Sequence, residues 1–285
     1  MSADTGTLLV SCPDRKGLVA SLAQVLYGHG ANILDADQHT DPVARMFFQR
    51  IRFDVATLNT DRVALAQGIR EVAERFAMTY RLELGEKVKR VAILVSKLDH
   101  ALYDLLLRHR AGELPCEVAL VISNHPDLEP VARQFGVPFH HVAKTAESRA
   151  AGEAAEQQLL EAAGVDLVIL ARYMQIMSAG FCERWSLRMI NIHHSFLPAF
   201  VGANPYRQAY ERGVKLIGAT AHYVTSELDQ GPIIEQSVVR VSHRDSVEDL
   251  TRKGRDLEKV VLAAAVRWHL EDRVLAYAGK TVVLE

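Results

Sequence analysis

Two periods of apolar and polar alternation run along this chain, and the order in which they change outlines its architecture. Residues 7–12 read as a short strand that Pro13-Asp14 ends. From Gly17, Leu18, Leu22, Val25 and Leu26 recur on one helical face until Gly28-His29-Gly30 breaks it. Two strand-like runs follow, 31–40 and 45–55, with the turn signal Asp41-Pro42 between them. Asp61 then opens a second amphipathic helix carrying Val63, Leu65, Ile69, Val72 and Phe76, and residues 80–84 close the set as a strand. The order is βαββαβ, the split ferredoxin-like plait.

Past residue 85 the pattern shifts. The charged, glycine-led stretch Gly85-Glu-Lys-Val-Lys-Arg90 reads as a bridge, giving a domain over 1–85, a linker over 86–90 and a larger domain over 91–285. Val91-Ala-Ile-Leu-Val95 is apolar without interruption, as a strand buried on both faces must be. A helix with Leu102, Leu105, Leu106 and Leu107 follows, then a strand at 117–122 and a helix near 128–135. An edge strand at 139–142, a helix near 146–163 and core strands at 166–170 and 189–192 continue the alternation. Residues 215–224 and 232–241 read as a strand pair closing around a loop, and a long helix runs from about 246 to 270. This spacing predicts an α/β fold, a Rossmann-like, mostly parallel sheet with helices on both faces.

Composition narrows the function classes. With 49% hydrophobic and 24% charged residues the chain is an ordinary globular one. A net charge of -2 leaves no electrostatic footprint for nucleic acid or an anionic membrane. The first residues, Met1-Ser-Ala-Asp-Thr-Gly6, have neither a basic nor an apolar leader region. Three widely separated cysteines, Cys12, Cys116 and Cys182, read as reduced thiols, so the expectation is a cytoplasmic protein.

The candidate chemistry centres on Met189-Ile-Asn-Ile-His-His-Ser-Phe-Leu-Pro-Ala-Phe200. Asn191 and His193 are two apart, so on a strand they share a face. They sit where that strand breaks, and open α/β sheets bind ligands at the carboxyl ends of their strands. Asp229, within Ser226-Glu-Leu-Asp-Gln-Gly-Pro-Ile-Ile234, lies on a sharp bend able to bring a carboxylate to the same point. An amide that donates to an oxyanion, an imidazole and a carboxylate together suit acyl-group chemistry. Taken singly, each has a structural reading too: Asp229 as a turn residue, His193 as a packed strand end. His140, His141, His193, His194, His222 and His243 leave a metal site open. Against it, no His-Glu-x-x-His or Cys-x-x-Cys spacing is present, and adjacent histidines on a strand point apart. A cysteine nucleophile and a non-catalytic sensor are the remaining alternatives. No Rossmann or Walker fingerprint occurs; the loop Ser96-Lys-Leu-Asp-His100 has no glycine to let a phosphate approach the backbone.

Two resemblances bear on these alternatives. Cys12-Pro-Asp-Arg-Lys-Gly17 with Gly30-Ala-Asn-Ile33 resembles the ACT domain family over about residues 6–85, although Lys16 stands where many relatives have proline. ACT modules sense small molecules and pair, which implies an amino-acid effector and a homodimer or homotetramer. Asn191-Ile-His-His-Ser-Phe-Leu-Pro198 with Leu228-Asp-Gln-Gly-Pro-Ile-Ile234 resembles the folate-dependent formyltransferase fold over about 88–285. That resemblance implies Asn191, His193 and Asp229 as the catalytic trio. It makes Ala171-Arg-Tyr-Met-Gln-Ile-Met-Ser178 the folate segment, with Tyr173, Met174, Gln175, Ile176 and Met177 lining the pterin pocket beside Val224 and Leu228. Without the resemblance, Tyr173, Met174 and Ile176 read as core. Ser123-Asn-His125, Phe139-His-His141, the doubled His193-His194 and Asn204-Pro-Tyr206 are similar to the family's hydrolytic branch, in which an ACT module precedes the catalytic domain. The implied reaction is hydrolysis of 10-formyltetrahydrofolate with no separate cofactor or metal, folate being the substrate. A transferase acting on an amine acceptor is the implied alternative.

Overall fold

In a computed structural model of the protein, residues 4–85, 87–145, 147–199 and 205–284 are described. Glu86 of the expected linker, Ala146 at the expected start of a helix and Asn204 of the Asn-Pro-Tyr motif lie outside them. The chain divides into two compact units. One comprises Met1–Lys87 with Asp272–Tyr277 and Val282–Glu285, the other Val88–Glu271 with Ala278–Thr281.

The first unit runs β1 (Thr5–Pro13), α1 (Leu18–Gly28), β2 (Asn32–Asp41), β3 (Met46–Asp54), α2 (Arg62–Phe76) and β4 (Thr79–Leu84). Its sheet has the order β2-β3-β1-β4, antiparallel throughout. Leu8, Val10 and Cys12 point from β1 into one core with Leu18, Leu22 and Leu26 of α1 and Leu65 and Ile69 of α2. The Asp41 carboxylate accepts from Val43 N and Ala44 N at 2.8 and 2.9 Å, which closes the turn that Asp41-Pro42 signals.

The second unit holds the longer alternation: β5 (Lys89–Val95), α3 (His100–Arg110), β6 (Cys116–Ser123), α4 (Glu129–Gln134), β7 (Phe139–His141) and α5 (Arg149–Ala162). It continues through β8 (Leu167–Leu170), α6 (Ala179–Arg184), β9 (Met189–His193), α7 (Pro205–Glu211), β10 (Leu216–Tyr223), β11 (Ile233–Arg240) and α8 (Val247–Leu270). The seven strands lie in the order β11-β10-β9-β8-β5-β6-β7. From β9 to β7 the pairings are parallel, while β9–β10 and β10–β11 are antiparallel. Ala92 and Leu94 of β5 face a core with Leu160 of α5, Phe181 and Cys182 of α6, and Trp185 just past that helix. Val91, Ile93 and Val95 are buried on the opposite face, where α3 and α8 pack together. Helix α8 starts at a reciprocal capping box, with Ser246 Oγ accepting from Asp249 N at 3.1 Å and Asp249 accepting from Ser246 N at 3.0 Å.

The chain departs from the sequence expectations in its short elements. Helices α6 and α7 have too few turns to show a period, and the hairpin β12 (Val274–Tyr277) and β13 (Lys280–Val283) follows α8 unannounced. The expected second domain over 91–285 is corrected at this tail, because Asp272–Tyr277 belongs with the first unit. There the Phe48 and Tyr277 rings lie 4.5 Å apart, the Tyr277 hydroxyl donates to Asp41 at 2.7 Å, and Arg50 Nε donates to the Asp272 carbonyl at 3.1 Å. Strand β5 begins at Lys89, inside the stretch read as linker.

One consequence of the strand order positions the site. From β5 the chain builds outward to β6 and β7, then crosses back to lay β8 and β9 on the other side. The direction of winding reverses between β5 and β8, so the connections there diverge and a crevice opens at the carboxyl ends of these strands.

Candidate active site

A cavity of about 680 Å³ occupies that crevice. Asn191 and His193 reach it from the end of β9, and Asp229 reaches it from the loop joining β10 to β11. Tyr173, Met174, Gln175, Ile176 and Met177 line it from the segment after β8, with Val224 and Leu228 beside them. Reading Met174 and Ile176 as core is corrected: they are 60% and 55% exposed at the cavity, whereas Tyr173 and Met177 are buried.

The loop between β10 and β11 returns to β9 by a definite backbone device. Asp229 has φ 57°, a left-handed conformation that aspartate adopts more readily than most residues. At Gly231 any Cβ would lie 1.7 Å from the Tyr223 carbonyl oxygen, so only glycine lets the loop close. As a result Asp229 Oδ2 lies 3.2 Å from His193 Nδ1, and Oδ1 lies 3.6 Å from His222 Nε2. Burial pushes the Asp229 carboxyl up, but the hydrogen bond and charge of His193, first among its partners, outweigh it and hold the group well below the usual carboxylate range.

Two further residues complete this arrangement: Ser195, unassigned from sequence, and His222, read there only among the histidines that left a metal site open. Ser195 Oγ is 2.9 Å from His193 Nε2 and donates its own hydrogen to the Ala199 carbonyl at 2.7 Å. The hydroxyl therefore presents a lone pair to the imidazole, and a proton on each ring nitrogen satisfies both the serine and the carboxylate. Ser195 lies in the bend beyond β9, where strand alternation no longer predicts which way a side chain points. His222 sits opposite Asn191 across β9 and β10, a register no single-strand pattern reveals. Its Nδ1 donates to the Tyr223 carbonyl at 2.9 Å, which leaves Nε2 as the nitrogen that can accept from Asn191 Nδ2, 3.3 Å away.

A second polar cluster borders the same cavity. Glu258 of α8 is buried, accepts from the Tyr206 hydroxyl at 2.6 Å, and meets His100 Nε2 at 2.8 Å and Arg172 Nη1 at 3.6 Å. Burial raises the Glu258 carboxyl, and His100, Arg172 and Tyr206 together bring it below its ordinary value. The His194 ring packs between His193 and Tyr206, with centroids 5.2 and 5.9 Å away. The expectation that adjacent histidines point apart fails at this pair, because His194 already lies in the bend beyond β9. Burial and the nearby Arg172 charge lower the His194 imidazole to about 4. Among the described residues no group of three His, Cys, Asp or Glu is placed to hold a metal ion, and no helix is long and apolar enough to cross a membrane.

The glycine-free loop after β5 is tied into the protein. Ser96 Oγ donates to Asn124 Oδ1 at 2.7 Å and accepts from Met174 N at 3.0 Å, while His100 holds Glu258. Both residues thus serve the segment and cluster that line the cavity.

Fold and site together define a protein in which an ACT module precedes a formyl transferase domain: the formyl transferase family model matches residues 89–266 and the ACT domain model residues 6–73. Formyltetrahydrofolate deformylase of Synechocystis sp. is 53% identical over 279 residues, 98% of each chain. The enzyme of the same name from Bacillus subtilis is 50% identical, covering 98% of this chain and 94% of its own. This chain belongs to the formyltetrahydrofolate deformylase family. The crystal structure of a formyltetrahydrofolate deformylase from Pseudomonas syringae superposes with a TM-score of 0.96 at 46% identity, covering 100% of this chain and 96% of that one. Glycinamide ribonucleotide transformylase 1 from Symbiobacterium toebii matches with a TM-score of 0.67 at 39% identity, covering 72% of this chain and 98% of that one.

Proposed function

We propose that the protein hydrolyses 10-formyltetrahydrofolate to tetrahydrofolate and formate, with Asn191, His193 and Asp229 as its catalytic residues. The observation that carries this reading is the 3.2 Å pairing of His193 with Asp229 in the cavity that Asn191 also lines. Tyr173 to Met177, Val224 and Leu228 hold the pterin. Water adds to the formyl carbon and sheds one proton, the one N10 takes up as it leaves; the carbonyl oxygen becomes an oxyanion that accepts from the free N–H of Asn191 and is stabilised by the positive charge of the doubly protonated His193 beside it. The C–N bond then breaks as N10 takes up one proton, and the formic acid released ionises to formate. A carboxylate held far below neutral pH is a weak proton acceptor. Asp229 therefore acts mainly by orienting the attacking water and stabilising the imidazolium beside it.

The reading requires no cofactor beyond the folate substrate. The transferase alternative needs an acceptor site for a phosphorylated amine, and the committed side chains of Ser96 and His100 argue against one. The ACT module binds an amino-acid effector and pairs copies into a homodimer or homotetramer, and the enzyme works in the cytoplasm, supplying formate to one-carbon metabolism and purine synthesis. The test is formate release from 10-formyltetrahydrofolate with no acceptor added. Release without acceptor supports the hydrolase, stimulation only by glycinamide ribonucleotide supports the transferase, and neither leaves a sensor.

A further inference from the structure

Helix α5 faces the segment 173–178 with two buried carboxylates, Glu153 and Glu156, spaced three residues apart and hence on one side of the helix. Glu153 Oε1 takes both hydrogen bonds from the far end of the segment, Ser178 N at 3.0 Å and Ser178 Oγ at 2.5 Å. The same Ser178 hydroxyl accepts from Phe181 N at 3.2 Å and starts α6. At the near end Glu156, fully buried, receives the Tyr173 hydroxyl on Oε1 and Lys144 Nζ on Oε2 at 2.7 Å. Burial and the neighbouring Glu156 charge raise the Tyr173 phenol, so it stays a donor. The lysine stem passes over Gly152, where an added Cβ would meet Lys144 Cγ at 3.0 Å.

A buried ion pair is a poor source of stability, because an apolar pair of similar volume generally does as well or better. Its strength is geometric: charge-assisted hydrogen bonds fix direction as well as distance. What this cluster fixes is the two ends of a segment whose middle residues, Met174 and Ile176, stand exposed at the cavity. An exposed apolar segment with free ends would rearrange to bury those side chains; one pinned at Tyr173 and Ser178 cannot.

We propose that Glu153 and Glu156 are positioning residues that bracket this segment and thereby set the enzyme's affinity for folate. The proposal rests on the reading that the segment lines the folate site, and its test is built to separate the two. Lys144→Met/Glu156→Leu replaces the pair by apolar side chains, Glu153→Gln keeps an acceptor for Ser178, Glu153→Ala removes it, and Tyr173→Phe removes only the hydroxyl contact. For each, tetrahydrofolate binding is titrated at equilibrium, KM and kcat are measured, and melting is followed. Lys144→Met/Glu156→Leu is expected to melt no lower than wild type, with Kd for tetrahydrofolate and KM both raised roughly tenfold, the worth of one hydrogen bond to a charged group. Its kcat at saturation should stay within about twofold, because contacts remote from the reacting carbon act on binding. Tyr173→Phe should move the same way to a smaller extent, and Glu153→Gln should recover most of the affinity that Glu153→Ala loses. Folded variants with unchanged Kd and KM, or with a lowered kcat at unchanged KM, would overturn the bracket. A wild-type protein that binds tetrahydrofolate but releases no formate would refute the hydrolase reading while the bracket stands on Kd. Failure of the wild type to bind tetrahydrofolate would refute the bracket.

Discussion

Asn191 and His222 face each other in register across β9 and β10, with Nδ2 and Nε2 3.3 Å apart. Because His222 Nδ1 is spent on the Tyr223 carbonyl, the contact at Nε2 fixes which end of the Asn191 carboxamide points inward. One amide N–H is held by the histidine, and the other is available to an oxyanion in the cavity.

Asn191→Ala removes that donor without emptying a core position. Loss of one good oxyanion donor costs about 2.7 to 4 kcal/mol of barrier, so kcat should fall roughly a hundredfold to a thousandfold with Kd for tetrahydrofolate little changed. His222→Phe should be costly in the wild-type background and almost free in Asn191→Ala if it acts through the amide. Steady-state kinetics of the double-mutant cycle measures this, and penalties that simply multiply would show that His222 acts elsewhere.

Asp229→Asn keeps the shape of the side chain and removes its charge. His193 would lose its anionic partner and the water its acceptor, so kcat should drop by roughly 10²- to 10⁴-fold. Circular dichroism and tetrahydrofolate binding should stay near wild type. Turnover within about threefold of wild type would exclude Asp229 from a role in proton placement or charge stabilisation.

Which of these residues the sequence reveals follows from the range over which each signal acts. Asn191 and His193 are legible because strand alternation is local and places both on one face. Asp229 is legible only as a bend; its approach to His193 depends on the β9–β10 pairing and on closure at Gly231, neither of which a local pattern encodes. His222, Glu258 and Arg172 were missed for the same reason: their partners lie on other elements, His222 against Asn191, and Glu258 against His100, Tyr206 and Arg172. The long amphipathic and fully apolar elements were readable, since burial on one face or two shows in the period. Helices α6 and α7 and the hairpin β12–β13 were not, being too short to carry one.

Ser195→Ala tests how far His193 depends on being held from both sides. The alanine leaves Nε2 without an acceptor in a buried site, where an unmet donor costs about 1 to 3 kcal/mol. The ring should then turn or lose a proton, lowering kcat roughly tenfold and shifting the pH–rate profile, with KM unchanged. Ser195→Thr, which restores a hydroxyl, should recover part of the rate. A pH–rate profile identical to wild type would mean that the serine only packs.

His194 carries a prediction about stability. Its imidazole is held at about 4 by burial and by Arg172, below the value near 6.5 expected in an unfolded chain. Between these two values the unfolded chain binds a proton that the folded protein refuses, so acidification through this window favours unfolding. Above pH 6.5 neither state is protonated and the effect vanishes. A tenfold difference in proton affinity is worth about 1.4 kcal/mol, so the full limb amounts to roughly 2 to 3 kcal/mol once partial solvent exposure is counted. Asp229 and Glu258 are displaced in the same direction, downward, but from an unfolded value near 4, so their contribution is lost only at lower pH. Urea unfolding from pH 5 to 7 therefore isolates the histidine. Wild type should lose stability steadily as the pH falls from 6.5 to 5, whereas His194→Asn should lose clearly less; equal slopes for the two proteins would show that His194 is protonated in the fold and that its burial beside Arg172 carries no such penalty.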